Sequence, residues 1–86
     1  SNSTDTLKFP YRVMLSNSMT PKSILYYFAK SLLVDVYKLS LDVVGVDENC
    51  TEFASDNDGI TLAEINSIFS YPELVIRYNG TSGKLS

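Results

Sequence analysis

Between Pro21 and Leu33 the apolar residues recur every four positions: Ile24, Phe28 and Leu32, with Leu25 beside them, while Lys22, Tyr26 and Lys30 lie off that stripe. Such spacing is one face of an α-helix. Thr20-Pro21 opens it, with threonine as cap and proline at the first helical position, where its missing amide costs nothing. A helix over 21–33 is therefore predicted, and its single apolar side must lie on a sheet or another helix. Over 36–43 the period changes to two. Leu39, Leu41 and Val43 fall on one face and Lys38, Ser40 and Asp42 on the other, which predicts a half-buried strand. Residues 74–78 alternate in the same way: Leu74, Ile76 and Tyr78 point inward and Val75 and Arg77 outward, and Asn79-Gly80 ends the run.

Between these strands the punctuation is local. Asp58-Gly59 supplies a tight turn. Thr61 and Glu64 form a capping box, so a helical turn starts at Leu62. Leu62, Ile65 and Phe69 share its apolar side, and Pro72 forbids its continuation. A short strand is expected around 51–53. Toward the N-terminus, 6–9 and 11–15 read as two further strands, the second with Val13 and Leu15 on one face and Arg12 on the other, and 16–19 as a turn. Residues 1–5 and 81–86 are expected to be loose tails around one domain over 6–80.

Eighty-six residues with 44% apolar and 20% charged side chains allow a single globular domain with a modest core. A net charge of −3 argues against a nucleic-acid partner. The single cysteine, Cys50, excludes an internal disulfide and suits a reducing compartment, so a cytoplasmic location is expected. No apolar run approaches the roughly 18 residues of a membrane span, and no signal peptide is read.

No catalytic residue, cofactor site or metal site is read from the chain. With no histidine, it lacks the usual general base near neutral pH and the commonest metal ligand. Cys50 sits among acids that oppose a second negative charge on sulfur. Asp56-Asn57-Asp58-Gly59 resembles the middle of a calcium-binding loop. Counted from that glycine, however, Ala54 takes the first ligand position and Ile65 the place of the bidentate glutamate, so a turn and helix cap account for these residues better. The acidic run over 47–58 reads first as a solvated loop and second as a docking site for a basic partner. Asn2-Ser3-Thr4, Asn49-Cys50-Thr51 and Asn79-Gly80-Thr81 match the glycosylation pattern, which a chain rich in Ser and Thr meets by chance. Tyr11, Tyr26, Tyr27, Tyr37, Tyr71 and Tyr78 either cover the edge of a small core or form an aromatic interaction surface.

This order of elements resembles the ubiquitin-like β-grasp family over residues 6–80. The resemblance rests on the helix opening at Thr20-Pro21, the Asp-Gly and Thr-Leu-Ala-Glu turn, and the final Leu-Val-Ile-Arg-Tyr strand. Within that family Thr6-Leu7-Lys8-Phe9, Ser18-Met19-Thr20, Leu39-Ser40-Leu41 and the strand 74–77 are most similar to the ubiquitin-like domain of tubulin-folding cofactor E. The ubiquitin-like domain that follows the RING finger in Polycomb proteins is the next nearest. The resemblance implies an α+β fold in which a mixed sheet packs on one main helix. It also implies a non-catalytic protein-protein interaction module of a larger chaperone-type protein, with tubulin or a folding-machinery component as partner. The chain lacks a terminal Gly-Gly, so conjugation is not expected.

The outer sheet face would present Lys38, Ser40, Val75 and Arg77 together, and these four are the expected protein-binding residues. Two other folds share the order of elements. One is the phosphocarrier fold of bacterial sugar transport, whose phosphorylated histidine is replaced here by Ser18 ahead of Met19 and Thr20, leaving at most a regulatory role. The other is a ferredoxin-like ligand-sensing module. Topology separates them, because a β-grasp sheet sets its first and last strands side by side and parallel.

Overall fold

The computed structural model describes residues 14–79 and 81–85. The predicted strand over 6–9 and most of that over 11–15 lie outside the described residues. Met14 and Leu15, which fall inside them, are not in a strand. The described elements run α1 (Pro21–Leu32), a short 3-10 turn (Val36–Lys38), β1 (Leu39–Val44), β2 (Cys50–Ala54), α2 (Leu62–Ile68), β3 (Glu73–Tyr78) and β4 (Thr81–Lys84). The strands form one sheet in the order β2-β1-β3-β4, and every described pair is antiparallel. The architecture is α+β.

Both helices begin where their caps dictate. Thr20 accepts from the amide of Ser23, whose hydroxyl accepts in turn from the amide of Thr20, and Thr61 and Glu64 repeat the exchange at α2. Other first-turn amides are satisfied by distant carbonyls. Lys22 N donates to Asn57 O at 2.8 Å, Leu62 N to Met19 O at 2.7 Å and Ala63 N to Asn17 O at 3.0 Å. Each helix start is thus bonded to a loop leading into the other. The loop 55–58 also brings Asp56 and Asp58 to the positive end of α1, which has no acid in its own first turn.

Ile24, Leu25, Phe28 and Ala29 of α1 pack with Ile65 of α2 against Leu39, Leu41, Val43 and Ile76 on the inner face of β1 and β3. Phe53, Phe69, Leu74 and Tyr78 close the margins of this cluster. Phe69 belongs to it from just beyond α2, in extended conformation, with its amide still donating to Ile65.

Two boundaries differ from the sequence expectation. The helix α1 ends at Leu32, and Leu33 turns the chain at φ 59° while the amide of Val34 donates back to Ala29 O at 3.1 Å. Asp35 then accepts from the amide of Tyr37, and the amide of Lys38 closes onto Asp35 O at 3.0 Å. Residues 36–38 consequently coil into a turn, and the strand starts at Leu39 instead of Val36.

Residues 81–84, expected to be tail, form β4. Asn79, at φ 54°, adopts the left-handed conformation that a two-residue hairpin connection requires, and Tyr78 faces Thr81 across it. The strand β4 pairs with β3 from Val75 to Tyr78, and Leu85 N extends the ladder to Leu74 O. In a β-grasp sheet that edge of the last strand belongs to a parallel N-terminal strand; here an antiparallel C-terminal strand fills it. Removal of residues 81–86 is expected to expose this edge. The check is amide hydrogen exchange, with protection lost along β3 at Val75–Tyr78 and retained along β1 at its junction with β2.

Candidate interaction surfaces

The outer face of the sheet is set by register. Ser40 lies opposite Ala54 and Arg77, Asp42 opposite Glu52 and Val75, and Val44 opposite Cys50 and Glu73. Of the four residues expected to project together, Ser40, Val75 and Arg77 are neighbours on this face. Lys38 lies ahead of β1, in the 3-10 turn capped by Asp35, and has no partner in the strand register.

Arg77 is also already engaged. Its Nε donates to Oδ2 of Asp42, its diagonal neighbour across β1 and β3. Asp42 is only 4% exposed, and its other oxygen, Oδ1, has no hydrogen-bond partner among the described residues. The hydrogen bond to Asp42, and then that carboxylate's charge, raise the Arg77 pKa above its ordinary value; desolvation opposes them, and Cys50 and Glu52 add smaller pushes upward. Arg77 is therefore a fixed cation that neutralises a buried carboxylate. Lys84, the other cation of this face, pairs with Glu73 at 3.1 Å.

The acids of the segment 47–58 have local uses. Asp47 accepts from the amide and the side-chain nitrogen of Asn49 at 3.2 and 2.6 Å, which ties the β1-β2 connection. Oδ1 of Asn57 accepts from the amide of Gly59 at 3.0 Å and shapes the turn before α2. Among the described residues no three His, Cys, Asp or Glu side chains gather into a metal-holding group. No described helix is long and apolar enough to cross a membrane.

A second surface lies on the far side of α1. Tyr26, Tyr27, Ala29 and Lys30 on the helix, with Val34, Asp35 and Val36 beyond it, line an open, largely apolar groove of about 670 Å³. Two side chains facing it are held in place. Tyr27 sets its ring edge against buried Phe28, with centroids 5.1 Å apart and planes at 81°. The carboxylate of Asp35 is occupied by the amide of Tyr37. In the turn that follows α1, Leu33 and Tyr37 leave 90% and 78% of their surfaces in solvent, Tyr37 lining a separate hollow with Ser40 and Glu52, and Tyr26 and Tyr27 leave about half of theirs. Of the two expectations for the tyrosines, Tyr26, Tyr27, Tyr37 and Tyr71 are exposed and Tyr78 covers the core margin. The doublet Tyr26-Tyr27 followed by Leu33 and Tyr37 was visible in the sequence.

No family model, curated protein or solved structure matches the chain.

The Asp42–Arg77 pair leads to an asymmetry. Arg77→Ala leaves a buried carboxylate without its counter-charge, whereas Asp42→Val removes that carboxylate and leaves an arginine already half in water. Thermal unfolding should therefore show the larger loss for Arg77→Ala, with Asp42→Val near or above the parent midpoint; charge reversal at Arg77 should lower the midpoint most. The pH response follows from the raised Arg77 pKa. Its contribution is fully present below the unfolded value and fades only as pH climbs through the higher folded value, so this arginine adds no slope to stability between about pH 6 and pH 10.

Proposed function

We propose that this chain is a non-catalytic protein-interaction module that binds through the aromatic surface beside α1. The observation that carries the reading is Leu33. A leucine in the left-handed region costs about 1 kcal/mol relative to a conformation it prefers, and glycine would adopt that position without strain. An apolar side chain so placed, and 90% exposed, stabilises little within its own chain. It is the kind of exposed apolar group that contributes once a partner desolvates it, and tyrosines such as Tyr26 and Tyr27 on the same stretch of chain are a residue type enriched in binding centres. The sheet and α2 serve this surface by fixing α1 through its opposite, buried side.

The ubiquitin-like reading shares the interaction role. Its finer structural requirement, a parallel N-terminal strand beside β3, competes with β4 for the same edge. Tubulin or a folding-machinery component, reached in the cytoplasm, is the partner the sequence resemblance suggests, and it rests on that resemblance alone.

Leu33→Gly separates the two roles of this position. It should raise folding stability by up to about 1 kcal/mol, since relief of the backbone is offset by the greater freedom of glycine in the unfolded chain. The same change should weaken partner capture. A photo-crosslinking side chain at Tyr37 should trap a protein that unlabelled parent chain competes away and the Leu33→Gly chain does not; a crosslinker at Ser82, on β4, should trap none. Equal competition by both chains would remove Leu33 from the binding surface.

A further inference from the structure

The outer face of the sheet holds more acid than base. By register its described strands present the carboxylates of Asp42, Glu52 and Glu73 and the cations Arg77 and Lys84. Arg77 pairs with Asp42, and Lys84 with Glu73. Glu52 is left over. It is exposed, and among the described residues its carboxylate has neither an ion pair nor a hydrogen bond.

That carboxylate borders a hollow of about 410 Å³ together with Tyr37, Leu39, Ser40, Ala54 and Ser55. Among the described residues no base lines it. Lys38, next to Tyr37 in the chain, is not part of the lining and makes no ion pair with Glu52. Arg77, opposite Ser40, donates to Asp42. Asp56, exposed and next to Ser55 in the chain, adds to the negative field. The hollow also borders an unsatisfied group. Ser55 is 7% exposed, and its hydroxyl has no hydrogen-bond partner among the described residues. Buried polar side chains are normally paired, and this one lines the hollow.

The lining thus offers one free carboxylate, two serine hydroxyls and a largely exposed tyrosine ring, with no cation to balance them. A guanidinium matches that set. It is always charged, it carries five N–H donors in one plane, and the plane stacks on aromatic rings. An ammonium has three donors and no plane to lay on Tyr37. The strand β2 is an edge of the sheet formed by the described strands, so a polypeptide running beside it can deliver a side chain to the hollow. We propose that the hollow receives an arginine of a partner polypeptide, its guanidinium donating to Glu52 and to the hydroxyls of Ser40 and Ser55 and stacking on Tyr37. This site goes beyond the surface beside α1 and does not require it.

The test uses the full chain, isotopically labelled, and a short blocked peptide of glycine and serine with arginine at its centre. A second peptide replaces the arginine with citrulline, its neutral isostere. The arginine peptide should shift the amide signals of Ser40, Glu52 and Ser55 with a Kd of about 1 mM, as one exposed ion pair with stacking allows, and should weaken as salt is added. Citrulline should lower the affinity about fivefold or more, and Glu52→Gln should do the same at an unchanged thermal midpoint. Ser55→Ala should weaken the peptide about twofold or more and yet keep or raise the midpoint, since the hydroxyl bonds to no described residue in the free chain. Acetyl-arginine amide alone should bind more weakly than the peptide.

Equal binding of the arginine and citrulline peptides, or unchanged affinity in Glu52→Gln, would overturn the proposal. Shifts confined to Tyr26, Tyr27 and Lys30 would place the peptide in the groove beside α1 and overturn this site. Acetyl-arginine amide binding as well as the peptide would make a small guanidinium compound the occupant and overturn the partner polypeptide. Silence of all these amides at about 10 mM peptide, ten times the expected Kd, would overturn the site itself.

Discussion

The fold depends on the seating of α1 on the sheet. Ile24, Leu25 and Phe28 are completely buried, as are Leu41, Val43 and Ile76 beneath them and Ile65 of α2 beside them. A chain of this size has one such cluster to offset the entropy of ordering its backbone. The other elements are arranged around that contact. The strands β1 and β3 supply the floor, α2 fills one margin, and the capping boxes with their borrowed carbonyls fix where each helix starts. Because the helix is held on one side only, its opposite side can be given to other uses. The aromatic groove occupies it.

The outer face of the sheet shows how charge is handled in so small a structure. Antiparallel alternation puts Asp42 outward on the strand with neighbours on both sides, where cross-strand residues nearly cover it. A carboxylate in that position requires a counter-charge, and the diagonal Arg77 provides one while remaining half in solvent. The face expected to bind a partner thereby acquires a structural duty. Among the described residues, the cations outside such pairs are Lys22 and Lys30 on α1 and Lys38 in the turn after it.

Much of the framework was legible in the sequence because it is local. Thr20-Pro21 and Thr61 with Glu64 specify helix starts through bonds spanning three residues, and these form as expected. The fourfold recurrence of α1 and the twofold alternation of 39–43 and 74–78 correctly assigned inward and outward faces, since those periods follow from backbone geometry alone. Features that require a partner distant in sequence were not legible. Thr81-Ser82-Gly83-Lys84 has no apolar alternation, and nothing in its composition marks a strand. It becomes one because Asn79 turns the chain back onto the open edge of β3. The Asn79-Gly80 signal was present in the sequence, but without an apolar return strand it read as an end.

The sequence by itself determined the α+β composition, which sides of α1, β1 and β3 are buried, and where the two capped helices begin. Each of these follows from spacing and from side chains that reach only a few residues. Tertiary structure decided the strand order, the placing of Lys38 in a 3-10 turn ahead of β1, the commitment of Arg77 to Asp42, and the meeting of Tyr26, Tyr27 and Lys30 with Val34 and Val36 around a groove. Those outcomes turn on register and on one left-handed residue. Neither is encoded by periodicity, because shifting a register or reversing a chain leaves every local pattern intact while changing which side chains meet.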